Sequence, residues 1–124
     1  MNGMEVEVFV VDNNSTDGSA DHIEQRFHWV TLIRNNSNPG FSKANNQALQ
    51  QAKGKYILFQ NPDTIVGEDC FRQCTSFMDR HANAGALGVY MVDGSGEFLK
   101  ESKRGFPSPF VSATKMTGLS NLFP

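Results

Sequence analysis

Blocks of apolar and polar residues succeed one another along the chain, each about the length of one secondary-structure element. Val6, Val8, Phe9, Val10 and Val11 form a run rich in β-branched residues that stops at Asp12, the pattern of a strand covered on both faces inside a parallel sheet. After a polar turn, Ser19 or Asp17 can cap a helix carrying Ile23 and Phe27 one turn apart on its inner side, with Asp21 and Glu24 near its positive end. Residues 29–34 supply a second strand. Asn35 to Pro39 form a loop, and Gly40 opens a second helix in which Phe41, Ala44, Ala48 and Ala52 keep helical spacing as far as Gly54. "KYILFQ" is a third strand, broken by "NPDT" because proline cannot donate to a central ladder. A third helix runs from about Glu68 to Arg80 with Phe71, Cys74 and Met78 on one side, and a fourth strand covers Leu87 to Val92 before the turn "DGSG". This β-α-β-α-β-α-β alternation predicts an α/β fold: a three-layer, open, mostly parallel sheet with crossover helices, the nucleotide-binding kind of half-domain.

From Lys100 the texture changes to two X-Pro bonds, scattered Phe and Leu, and no periodicity. Residues 1–99 are therefore expected to form the α/β core, and 100–124 the irregular start of a further region. The chain enters a core strand almost at once and stops at no natural domain end, so truncation at both ends is expected. Its 124 residues suit one domain, and 39% hydrophobic with 19% charged residues is ordinary globular composition. A net charge of −2 with dispersed Lys and Arg argues against a nucleic-acid partner. No apolar run approaches the roughly 20 residues that span a bilayer, and "MNGMEVEVFVV" lacks the basic flank of a signal peptide. A cytoplasmic location follows as the expectation, with peripheral attachment at the inner membrane as its variant. Cys70 and Cys74, four apart in a helix, suit buried thiols better than a disulfide or metal site. His22, His28 and His81 lack partners at ligand spacing and suit surface or helix-end roles, Trp29 packs beside the second strand, and Lys103 and Arg104 are exposed loop cations.

In an open parallel sheet, ligands bind outside the carboxyl ends of the strands, where Asp12 to Ser19 and Asn61 to Thr64 both fall. One carboxylate there can accept from a base N–H or a ribose hydroxyl, and a second can hold a divalent cation against a pyrophosphate. Taken alone, the first segment is better explained as a turn with helix capping, and the second is explained equally well that way. Their shared position on one sheet edge favours a nucleotide site.

"VVDNNSTDGS", "NPGFSKANNQAL" and "GKYILFQNPDT" resemble, in the same order, the motifs of family 2 glycosyltransferases with the GT-A fold, especially a bacterial branch similar to rhamnosyltransferases of polysaccharide assembly. The resemblance runs from about Val8 to Val92, and "ESKRGFPSP" is similar to a signature of a bacterial subgroup. It implies that Asp12 recognises the nucleotide base or ribose, with Asn14 and Asp17 in the same turn. It also implies that the segment matched by Asn38, Gly40, Ala44 and Asn46 brings a helix start close to the nucleotide, with Asn45 where an Arg is frequent. The family's D-x-D element, which holds Mg²⁺ or Mn²⁺ on the diphosphate, corresponds to Asn61-Pro62-Asp63, so Asp63 takes the metal role and Asn61 leaves one fewer charge.

The implied reaction is inverting transfer of a sugar from a nucleoside-diphosphate sugar, dTDP- or UDP-linked, to a saccharide or lipid-linked acceptor in cell-surface polysaccharide synthesis. The family's opening strand, which lies between those matching Val6–Val11 and Tyr56–Phe59, has no counterpart here. The sheet must then leave a gap, re-pair, or be filled from another molecule, which makes an oligomer through the open sheet conceivable. The family's catalytic base belongs to an "ED" motif beyond Pro124, so the catalytic residue is unknown and this chain, as the donor-binding portion, is expected to be inactive alone. The alternative is a non-catalytic nucleotide-binding or assembly module. A sugar nucleotidyltransferase fits poorly because no Gly-rich basic loop opens the chain.

Overall fold

The computed structural model describes residues 3–99, so the irregular region from residue 100, with Lys103 and Arg104, lies outside the described residues. The chain divides into two compact units, Met1–Phe71 and Arg72–Pro124.

The first unit is built on two strands, β1 (Phe9–Asp12) and β2 (Thr31–Arg34), joined through helix α1 (Ser19–Arg26) and followed by helix α2 (Phe41–Leu49). The strands are parallel and in register from Phe9 opposite Thr31 to Asp12 opposite Arg34. Hydrogen bonds from Thr31 N to Val8 O at 2.9 Å and from Asn35 N to Asp12 O at 2.8 Å extend the pairing past both ends. Parallel neighbours cannot be joined by a tight hairpin, and α1 supplies the crossover. It packs against β2, while α2 packs against β1.

Local chemistry sets the helix ends. Gly18 stands before α1 at φ 80°, and Asp17 Oδ1 accepts from Ser19 N at 3.0 Å, so Asp17 rather than Ser19 supplies the side-chain oxygen. Before α2, Asn38 Oδ1 accepts from Gly40 N at 3.0 Å, and Gly40 itself stands at φ 89°, ψ 163°. Each helix buries one alanine, Ala20 and Ala44, whose small side chains let the helix backbone approach its neighbours. Arg34 at the end of β2 bonds Asp21 Oδ1 at 2.8 Å and Glu24 Oε2 at 2.7 Å on α1. The hydrogen bond it donates to Asp21 is the main reason its guanidinium is held more firmly protonated than usual.

Several expectations are corrected. The first strand begins at Phe9, and its four residues are half-buried rather than buried. Of the residues read at helical spacing, Ala52 lies beyond the end of α2 at Leu49, Phe41 is 68% exposed, and Ala44 alone is buried from that helix. Trp29 is 65% exposed and packs edge-to-face on Phe27 rather than beside β2. The stretch "KYILFQ" joins no ladder, and its Leu58 is 62% exposed. Among the described residues the sheet holds β1 and β2 alone, and a segment with no strand to pair with gives its β propensity nothing to act on.

Helix α3 (Cys70–Arg80) begins in the last residues of the first unit and continues into the second. Cys70 and Cys74 are half-buried on it and not joined in a disulfide. His81 takes the helix-end role, its Nδ1 lying 2.9 Å from Phe77 O and its ring stacked on Phe77 at 4.0 Å. The expected fourth strand over Leu87 to Val92 is instead one arm of a small hairpin with a single antiparallel bridge, Val92 to Phe98. Its turn is held by Asp93, whose Oδ1 accepts from Ser95 Oγ at 2.6 Å, Ser95 N at 2.8 Å and Glu97 N at 3.0 Å. The three-layer, mostly parallel sheet is thus represented among the described residues by one parallel pair and three helices.

Candidate functional site

The carboxyl end of β1 is the most organised polar region of the first unit. Asp12, its last residue, is half-buried, and its carboxylate oxygens accept weakly from Ser15 N at 3.2 and 3.3 Å. One N–H shared between two oxygens leaves most of a carboxylate's acceptor capacity open. The chain turns over at Asn14, exposed and left-handed at φ 68°, a conformation that asparagine tolerates better than most residues. Asp17 is exposed and closes the loop onto α1. The Ser19 hydroxyl first, then the Ser19 N–H, hold its carboxyl below the usual carboxylate range, so it is ionised at neutral pH in the service of the helix start.

Asp12, Asn14 and Asp17 therefore share one loop, and that loop is tied to the last turn of α2 by residues that reasoning on the sequence passed over. Asn13 Oδ1 accepts from Asn35 Nδ2 at 3.0 Å. Asn35 and Gln47 then pair reciprocally, each amide nitrogen 2.9 Å from the other's oxygen. These three amides are separated by 22 and 12 positions, and no periodicity or spacing rule marks such pairs in a sequence. The signal that was present is the membership of Asn13 and Gln47 in the motif segments around Asp12 and Gly40; Asn35 falls in neither.

Gly40 precedes α2 in a conformation essentially closed to residues with a side chain. Nothing lies within 4 Å of the position a Cβ would take, so the backbone angle and not close approach requires glycine here. Asn45 is half-buried in α2 and makes no hydrogen bond among the described residues. The cluster around Asp12 is thus acidic and neutral, with acceptors and amide donors suited to a base edge or a ribose.

Asn61 to Thr64 form their own turn, in which Thr64 donates from Oγ1 at 2.7 Å and from N at 3.3 Å to Asn61 O. Asn61 and Asp63 are exposed, and the Asp63 carboxylate has no hydrogen bond or ion pair among the described residues. No hydrogen bond joins this turn to the Asp12 loop among those residues, because the stretch that should carry it to the same sheet edge is not in the ladder. The expectation that one edge displays both segments is not met by the described sheet.

No group of three or more potential metal-ligating side chains occurs among the described residues. A single unengaged carboxylate is nonetheless the donor that Mg²⁺ accepts when it keeps several waters and takes its remaining ligands from phosphates. Asp63, with the Asn61 amide beside it, fits that sparse mode and does not form a closed cage.

Comparison with known proteins identifies the family of the chain. The family model described as glycosyl transferase family 2 matches residues 2–123. A poly(ribitol-phosphate) beta-N-acetylglucosaminyltransferase of Staphylococcus aureus (strain Mu50 / ATCC 700699) is 33% identical over 125 residues, 97% of this chain and 21% of that protein. A putative teichuronic acid biosynthesis glycosyltransferase of Bacillus subtilis (strain 168) is 35% identical over 92 residues, 69% of this chain and 35% of that protein. An N-acetylglucosaminyl-diphospho-decaprenol L-rhamnosyltransferase of Mycobacterium tuberculosis (strain CDC 1551 / Oshkosh) is 29% identical over 114 residues, 83% and 37% of the two chains. The chain thus spans 21% to 37% of the length of these relatives. No solved structure matches it significantly.

Proposed function

This chain belongs to glycosyl transferase family 2, and from that membership we propose that it is the donor-binding portion of an inverting glycosyltransferase of cell-surface polysaccharide synthesis. The donor is a nucleoside-diphosphate sugar, UDP- or dTDP-linked, and the acceptor is a saccharide or a lipid-linked saccharide. The observation that carries the reading is Asp12, a half-buried carboxylate with open acceptor capacity at the carboxyl end of a parallel strand. Relatives named for teichoic- and teichuronic-type polymers and for rhamnosyl transfer support the polymer setting. Among the described residues no helix is long and apolar enough to cross a membrane. We place the reaction in the cytoplasm, with peripheral attachment at the inner membrane where lipid-linked acceptors lie.

In this scheme Asp12 accepts from the base or ribose and orients the nucleoside, while Asn14 and Asp17 shape the loop around it. Gly40 sets where α2 begins, and Asn45 offers an amide on the same helix. Asp63, with Asn61, would hold Mg²⁺ or Mn²⁺, which when bound offsets the negative charge developing on the departing diphosphate. The group that takes the proton from the acceptor hydroxyl belongs to a later segment of the family's architecture, and the isolated chain binds donor without turning it over.

The test is a calorimetric titration of the chain with UDP and dTDP, each with and without Mn²⁺. Binding that is metal-assisted, loses its metal dependence in Asp63→Asn, and falls by about tenfold or more in Asp12→Ala supports the reading, since a hydrogen bond to a charged group contributes about 1.5–3 kcal/mol. Equal binding by wild type and Asp12→Ala would remove Asp12 from the site.

A further inference from the structure

Three side-chain amides close the carboxyl end of the two-stranded sheet. Asn35 Nδ2 has two hydrogens and uses both, one on Asn13 Oδ1 at 3.0 Å and one on Gln47 Oε1 at 2.9 Å, while its Oδ1 accepts from Gln47 Nε2 at 2.9 Å. Turning Asn35 or Gln47 alone would set nitrogen against nitrogen and oxygen against oxygen, and turning Asn13 would set nitrogen against nitrogen, so the three share one orientation. All three residues are half-buried, where a lost partner is felt more than on an open surface.

Asn35 also grips the loop a second time, since its main-chain N donates to Asp12 O at 2.8 Å. Asp12 is thus held through its carbonyl and Asn13 through its side chain, both by one residue on β2's exit. Just beyond, Asn14 reverses the chain at φ 68° and returns Ser15 N to the Asp12 carboxylate at 3.2 Å. The direction of that carboxylate follows from this ring of contacts, and Gln47 is the only member contributed by α2.

We propose that Asn35 and Gln47 are positioning residues for donor binding, which through Asn13 set the direction in which the Asp12 carboxylate meets the nucleoside. The proposal rests on Asp12 being the nucleoside acceptor. Neither residue touches the donor; they act on where Asp12 is held. Their contribution differs from general packing because it depends on the chemistry of one atom: an oxygen at the end of residue 47 keeps the Asn35 amide turned toward Asn13, and a hydrocarbon there does not.

The test uses ¹⁵N-labelled full chain. In wild type, the Ser15 amide is expected to show hydrogen-exchange protection at neutral pH, as it donates to the Asp12 carboxylate. Gln47→Leu should remove this protection and weaken binding of UDP with Mg²⁺ by about tenfold, the equivalent of about 1.4 kcal/mol. Gln47→Glu keeps the acceptor for Asn35 Nδ2 but sets an oxygen against Asn35 Oδ1, so it should fall between wild type and Gln47→Leu in both readouts. Should Gln47→Leu fail to fold, Asn13→Ala leaves the Asn35–Gln47 pair in place and should give the same loss at Ser15. A folded Gln47→Leu or Asn13→Ala chain whose Ser15 amide is protected as in wild type overturns the proposal. Unchanged UDP affinity in Asp12→Ala overturns instead the assignment of Asp12 to the nucleoside, so the two failures are separately visible.

Discussion

Asp17 and Asp93 owe their acidity to donors in their own turns, and each is open to a direct check. The Ser19 hydroxyl is the main reason Asp17 is held low, so Ser19→Ala should return its carboxyl toward the ordinary carboxylate range, as read by the ¹³C titration of the side chain. Asp93 is held low chiefly by the Ser95 hydroxyl, then by the N–H groups of Glu97 and Ser95. A folded value below the unfolded one means that ionised Asp93 contributes fully above about pH 4 and that its contribution is lost as pH falls through the folded value. The Glu97 and Ser95 amides should therefore lose hydrogen-exchange protection in that acid window and keep it at neutral pH. Of the candidate site, Asp12 was legible because an acid ending an apolar run is a local pattern. Asn13, Asn35 and Gln47 were not, since each is an ordinary polar residue until the fold brings three distant positions together.

The helices were read well and the strands less so, and the difference is physical. Helix α3 lies over Cys70–Arg80 against an expected Glu68 to Arg80, α1 starts at Ser19 beside the expected Asp17 oxygen, and α2 starts after Gly40 but ends at Leu49, short of Gly54. Those signals act within a turn or two of sequence. Residues 55–60 have the composition of a strand but depend on a neighbour elsewhere, and without one their β propensity has nothing to act on. At the start of α2, Gly40→Ala should lower the unfolding free energy by about 1–3 kcal/mol, a backbone effect alone because the added methyl meets no neighbour. Ala44→Leu should destabilise to a similar degree for the opposite reason, about 1–3 kcal/mol of overpacking at a buried position. Urea unfolding of both variants, followed by circular dichroism, measures the two effects.

The first unit is a parallel pair with helices docked on it, and the glycosyl transferase family 2 match extends over nearly the whole chain. Native-state hydrogen exchange should show this hierarchy directly. The amides of Thr31 and Asn35, bonded to Val8 and Asp12, should exchange far more slowly than those of Ile57, Leu58 and Phe59, which enter no ladder. Comparable rates in both sets would mean that the sheet extends further in solution than one pair. The bond from Asn35 to Asp12 also sets an order in time during synthesis. A chain leaving the ribosome carries Asp12 well before Asn35 and Gln47, and until both have emerged the loop behind that carboxylate has nothing to hold it. The nascent chain has its acid early and its aim late, so a ribosome paused before Gln47 would display the Asp12 carboxylate without the amides that hold its loop.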